Sequence, residues 1–202
     1  MSSSKVIEKR SAEDQLLARK SIKLTILQHT HRAVHNLKKV IYEIRNDIFK
    51  QQQLFRLKYT SYIELAMRLD GRLRRNKYCA SYSKRVAPVK VKSAAAVLTF
   101  RAFDFKLKEA QKMTDICLGK SNRMNSMRDI NLKYVFLETL DGKVTMMKEK
   151  RRKAVKIRNM FGGLKQEWIV LKEKLENDMD DCISKINSLN LEIYIKYGVM
   201  HE

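Results

Sequence analysis

Every seventh residue from Leu27 is apolar or aromatic: Leu27, Val34, Ile41, Ile48, Phe55, Tyr62 and Leu69. Side chains seven apart lie almost in line along an α-helix, so such a column is one buried stripe. A second row runs beside it as Leu37 and Ile44, then as Tyr59, Ala66 and Leu73. The change of row near Gln51–Gln53 is the drift of a 3.6-residue helix read against a 3.5-residue repeat. "SAED" at Ser11–Asp14 has the S-x-x-D form that opens helices. The pattern predicts a flexible N-terminus over 1–10 and a helix over 11–78, roughly 100 Å long.

The C-terminal third repeats the design. Leu140, Met147, Ala154, Phe161, Trp168, Leu175, Cys182 and Leu189 form one column. Ile157, Leu164 and Leu171 flank it, followed by Met179, Ile186 and Ile193. With "SMRD" at Ser126–Asp129 as a start signal, a second long helix is predicted over 126–197.

One proline and six glycines are too few to punctuate a sheet protein, which needs many turns. Pro88 breaks the pattern within "CASYSKRVAPVKVKS", because a proline lacks the amide proton a helix uses and biases its predecessor toward extended backbone. Residues 79–93 are therefore expected to be a basic linker. A shorter helix over 94–118 follows, with Val97, Phe100, Phe103, Leu107 and Ala110 on one face, then a loop over 119–125 that opens with Gly119. Asp70-Gly71, Asp141-Gly142 and Gly162-Gly163 interrupt the periodic stretches, and the pattern resumes at Leu73, Val144 and Leu164. A bend in the second long helix would fall at Gly162-Gly163. The expected fold is all-α and elongated. Two long heptad-patterned helices fold back as an antiparallel coiled-coil hairpin, with a shorter helix between them.

The net charge is +21, which speaks to partners rather than to fold. Residues 1–92 hold 22 Lys and Arg against 7 Asp and Glu, whereas 93–202 hold 21 against 15. A first basic cluster comprises Arg72, Arg74, Arg75, Lys77, Lys84, Arg85, Lys90 and Lys92, with no acid among them. Solvated helix faces normally mix signs, so one-signed charge calls for an external anion. A second cluster is Lys148, Lys150, Arg151, Arg152, Lys153, Lys156 and Arg158. It occupies what the column at Met147, Ala154 and Phe161 leaves free. A helix locked in a coiled coil is a poor nuclear-import signal, because import receptors read an extended strand. The acidic patch Glu173, Glu176, Asp178, Asp180 and Asp181 would meet Arg19, Lys20, Lys23 and Arg32 in an antiparallel hairpin. The two basic clusters would then gather at the opposite end.

Other chemistry is sparse. His31 and His35, at i and i+4, share a face with His29 nearby, but no Asp, Glu or Cys completes a metal set. Phosphate-loop, GxSxG and HExxH motifs are absent. No catalytic residue, metal or cofactor is expected. Cys79, Cys117 and Cys182 show no paired spacing and read as reduced thiols. The N-terminus carries no apolar core of a signal peptide, and no run of about 18 apolar residues spans a membrane. The aromatics Tyr42, Phe49, Phe55, Tyr59, Tyr62, Phe161 and Trp168 lie at or beside the columns, which makes them core rather than base-stacking platforms.

These features predict a non-enzymatic structural coiled-coil protein whose basic surface binds an acidic partner. A cytoskeletal filament such as a microtubule or axonemal doublet fits first, with cytoplasmic location and other coiled-coil subunits as further partners. The alternative is a nuclear, chromatin- or RNA-associated protein gripping phosphate backbone without sequence preference. A membrane-surface rod ranks below both.

Overall fold

A computed structural model describes residues 2–75, 80–119 and 132–197. Side-chain surroundings are described for these except at 2–10, 69–70, 72–75, 80–81, 83, 133 and 197. The described residues form three α-helices and one short 3-10 turn, with no strand among them. Helix α1 spans Ser2–Arg75, α2 spans Ala80–Leu118 and α3 spans Leu137–Tyr197, with the 3-10 turn at Leu132–Tyr134.

These boundaries correct the sequence expectation in three places. Helix α1 begins at Ser2, so residues 2–10, expected as a flexible N-terminus, are helical and Ser11 lies inside the helix. Helix α2 begins at Ala80 and carries Pro88 in its interior, so residues 80–93 of the expected linker are helical rather than extended. Proline removes one i to i−4 bond, a loss of about 3 kcal/mol in a helix interior. Burial of Tyr82, Val86 and Val89 against the bundle offsets it. Helix α3 begins at Leu137 rather than at 126, and it stays helical through Gly142 and Gly162-Gly163. Ser126–Asp129, read as its start, lie outside the described residues.

The chain divides into two compact units. The first comprises residues 1–43 and 110–161, the second 44–109 and 162–202.

In the first unit, Leu27 and Val34 of α1 cluster with Val144 and Met147 of α3. Lys23 pairs with Asp141 at 2.5 Å and His31, further along α1, interacts with Lys150, further along α3, so the two helices here run in the same direction. Helix α2 ends at Leu118 because Gly119 adopts a left-handed φ of 59°. Its amide donates to the Asp115 carbonyl at 3.1 Å, closing the last turn. Two lysines of α1 reach across: the Lys38 Nζ donates to the Gly119 carbonyl at 2.8 Å and the Lys20 Nζ to the Leu132 carbonyl at 3.1 Å.

In the second unit, α2 runs against both neighbours. The Gln52 amide donates to Asp104 and the Tyr59 hydroxyl to the Ser93 carbonyl, so rising numbers on α1 meet falling numbers on α2. Arg85 meets Glu192, Lys92 meets Asp178 and Lys106 meets Glu167, which gives the same opposed sense between α2 and α3. Asp47 pairs with Lys165, and Lys58 with Glu176, so α1 and α3 are parallel. The antiparallel hairpin of the two long helices is thus corrected: α2 is the antiparallel partner of both. The physical reason is that α2 has its own seven-residue column, Tyr82, Val89, Ala96, Phe103 and Ala110, all buried. Its core centres on Trp168, which stands edge-on to Phe55 and Phe100 and tilted against Phe103.

Candidate functional site

The column residues sit inside. Leu27, Val34, Ile41, Ile48, Phe55 and Tyr62 of α1 are buried, as are Met147, Ala154, Phe161, Trp168, Leu175 and Leu189 of α3. The Leu69 side chain lies outside the described set. Tyr42 and Phe49, read as core, are exposed instead. They follow Ile41 and Ile48 by one position, and a 100° turn per residue carries them off the buried stripe.

The first basic cluster does not stand unmatched. The side chains of Arg72, Arg74 and Arg75 and the whole of Lys77 lie outside the described residues. Arg85 makes a two-pronged pair with Glu192, its second nitrogen 3.1 Å from the carboxylate. That contact holds the Glu192 carboxyl below the usual range and raises the Arg85 guanidinium. Lys92 lies between Asp178 at 3.2 Å and Asp181 at 3.5 Å, and the Asp178 hydrogen bond raises its ammonium. Lys84 and Lys90 are exposed. The reading of this cluster as wholly dependent on an external anion is corrected: α3 supplies carboxylates from within the chain. By the same contacts, the acidic patch faces Lys58 and Lys92 rather than Arg19, Lys20, Lys23 and Arg32. The described members of the two basic clusters fall in different units.

The second cluster differs. Lys148, Arg151, Arg152, Lys153, Lys156 and Arg158 are exposed on α3 while Ala154, Ile157 and Phe161 point inward. Among the described residues no carboxylate pairs with any of the six. Lys150 is half-buried and faces α1, where its charge depresses protonation of His31 and Lys38. For His31, burial is the larger cause and the neighbouring His35 the next. No group of three His, Cys, Asp or Glu is placed to hold a metal among the described residues. Nor is any described helix long and apolar enough to cross a membrane. A shallow depression is lined by Asp180, Ile183, Ser184, Asn187, Ser188 and Leu191, all from α3.

One feature escapes the sequence reading. Val91, Leu98 and Phe105 on α2 are seven apart and exposed at 69%, 66% and 66%. They form a second apolar column on the side of α2 away from the core. Their spacing was available as a signal, but the proline directs attention away from residues 79–93.

Comparison of the chain with protein-family models, with curated proteins and with solved structures found no match.

Proposed function

We propose that this chain is a non-enzymatic, coiled-coil structural protein of the cytoplasm that docks on an acidic filament surface. The carrying observation is the exposed cation face of Lys148, Arg151, Arg152, Lys153, Lys156 and Arg158, unmatched among the described residues. Elsewhere α3 balances its own helices: Glu192, Asp178 and Glu176 each hold a cation of α1 or α2. Six exposed cations against the single exposed carboxylate of Glu149 on one helix attract an extended polyanion. The acidic tails of a microtubule or axonemal doublet have that character. The exposed column of Val91, Leu98 and Phe105 supports further helical subunits as partners.

The test is co-sedimentation with microtubules. Binding weakens as salt rises and when the acidic tubulin tails are removed. The triple variant Lys148→Glu, Arg151→Glu, Arg152→Glu lowers affinity about tenfold or more, since three exposed charges change sign while the core is untouched. Binding that ignores both salt and the triple variant rejects the reading. Salt-steep binding to duplex DNA or RNA without microtubule binding replaces it with a chromatin- or RNA-associated role.

A further inference from the structure

Four cationic or protonatable groups converge in the first unit. His31, His35 and Lys38 stand at i, i+4 and i+7 and so share one face of α1. In the register set by the Lys23–Asp141 pair and by the contact of Leu27 and Val34 with Val144 and Met147, half-buried Lys150 of α3 falls opposite His31, with His35 on the exposed edge of the same face. Lys38 is only 8% exposed and donates to a single neutral acceptor, the Gly119 carbonyl at 2.8 Å. Among the described residues no carboxylate pairs with His31, His35, Lys38 or Lys150. Buried and half-buried charges in a folded protein are ordinarily paired, because leaving water is costly. Lys150 lowers the protonation of both His31 and Lys38, so the groups lie within electrostatic reach of one another and repel. A like-charged set of this kind is relieved by a counter-ion.

We infer that His31, His35 and Lys38 of α1 and Lys150 of α3 form a binding site for a phosphate group. Charge selects the ligand. Lys38 and Lys150 bring two positive charges, which a dianion balances and a single carboxylate does not. A phosphomonoester is largely dianionic at neutral pH, its second pKa being near 6. Geometry agrees, since donors arrive from two helices and tetrahedral oxygens accept from several directions. Each ammonium carries three N–H donors, and Lys38 has spent one on Gly119. This site does not depend on filament docking, and its failure would leave that reading standing.

Imidazole NMR of the full chain tests it, with inorganic phosphate titrated against chloride at matched ionic strength. Bound phosphate raises the His31 pKa and raises the melting temperature saturably, as any ligand of the native state does. O-phosphoserine is run in parallel. A matching response identifies a phosphomonoester site, and a response to inorganic phosphate alone identifies a free-phosphate site. In Lys150→Gln the phosphate dissociation constant weakens about tenfold or more, as loss of a close charge partner predicts. His35→Gln gives a second, smaller loss. Lys174→Gln, exposed in the other unit, leaves phosphate binding unchanged. The proposal is overturned if chloride moves the His31 titration as far as phosphate does, or if Lys150→Gln binds phosphate as the unaltered chain does.

Discussion

The Trp168 indole stands edge-on to the Phe55 ring with 5.8 Å between centroids, joining α3 to α1 at the centre of the second unit. Edge-to-face aromatic pairs contribute about 0.5–1.5 kcal/mol beyond their buried area. Trp168 is fully buried, and its Nε1 has no hydrogen-bond partner among the described residues. Two substitutions separate these effects. Trp168→Ala loses about 3–5 kcal/mol through transfer and cavity terms. Trp168→Phe loses much less, because it keeps a ring in place and removes the unsatisfied donor. Urea denaturation measures both, and equal losses would contradict the assignment.

Pro88 tests whether α2 is one helix from Ala80. Pro88→Ala restores the amide that bonds the Lys84 carbonyl and removes the ring clash. Stability then rises by about 1–3 kcal/mol. Were the stretch an extended linker, the same change would leave stability level or lower it, because alanine loosens the unfolded chain. Thermal unfolding followed by circular dichroism gives the sign.

Gly162 and Gly163 lie inside α3, and an added Cβ at either meets nothing within 4 Å. Gly162→Ala and Gly163→Ala are each expected to stabilise by about 0.5–1 kcal/mol, since alanine fits the helix and restricts the unfolded chain. Gly119 behaves oppositely. Its φ of 59° is left-handed, so Gly119→Ala costs about 1 kcal/mol although its surroundings are open. Denaturation midpoints of the three variants should split by sign.

Burial was legible where a residue type repeats at fixed spacing. Phe161 and Trp168 are both fully buried, and both fall in the column that starts at Leu140. Direction was not legible, because a seven-residue column looks the same whether its partner runs with it or against it. Only a third packed helix sets α1 and α3 parallel, and recognising it required giving Tyr82, Val89 and Ala96 more weight than Pro88. Cation pairing was illegible for a related reason. Lys92 meets Asp178 across 86 positions, a contact that no local charge count reveals. The His31 and His35 pair was visible, but its partner Lys150 is far along the chain and belongs by composition to the basic cluster.

Acid lowers stability through two kinds of group, and their windows differ. Asp47 and Glu192 are held below their ordinary values by Lys165 and Arg85. Their contributions are present above about pH 4.5 and fade below it. Glu192 is exposed and Asp47 only half-buried, with both carboxylates in reach of water, so these effects are small. His31 acts nearer neutrality. Its pKa is lowered by burial, then by His35, Lys150 and Lys38. The unfolded chain therefore binds the proton more readily than the native one. Stability is full above the ordinary value of about 6.5 and declines as pH falls from there toward the lowered native value. In chloride buffer, melting temperature should be level from about pH 8 to 7 and drop toward about pH 5.5. His31→Gln removes that drop, and Lys150→Gln shrinks it by deleting one of the repelling charges. A drop of equal size in His31→Gln would assign the pH dependence to another group.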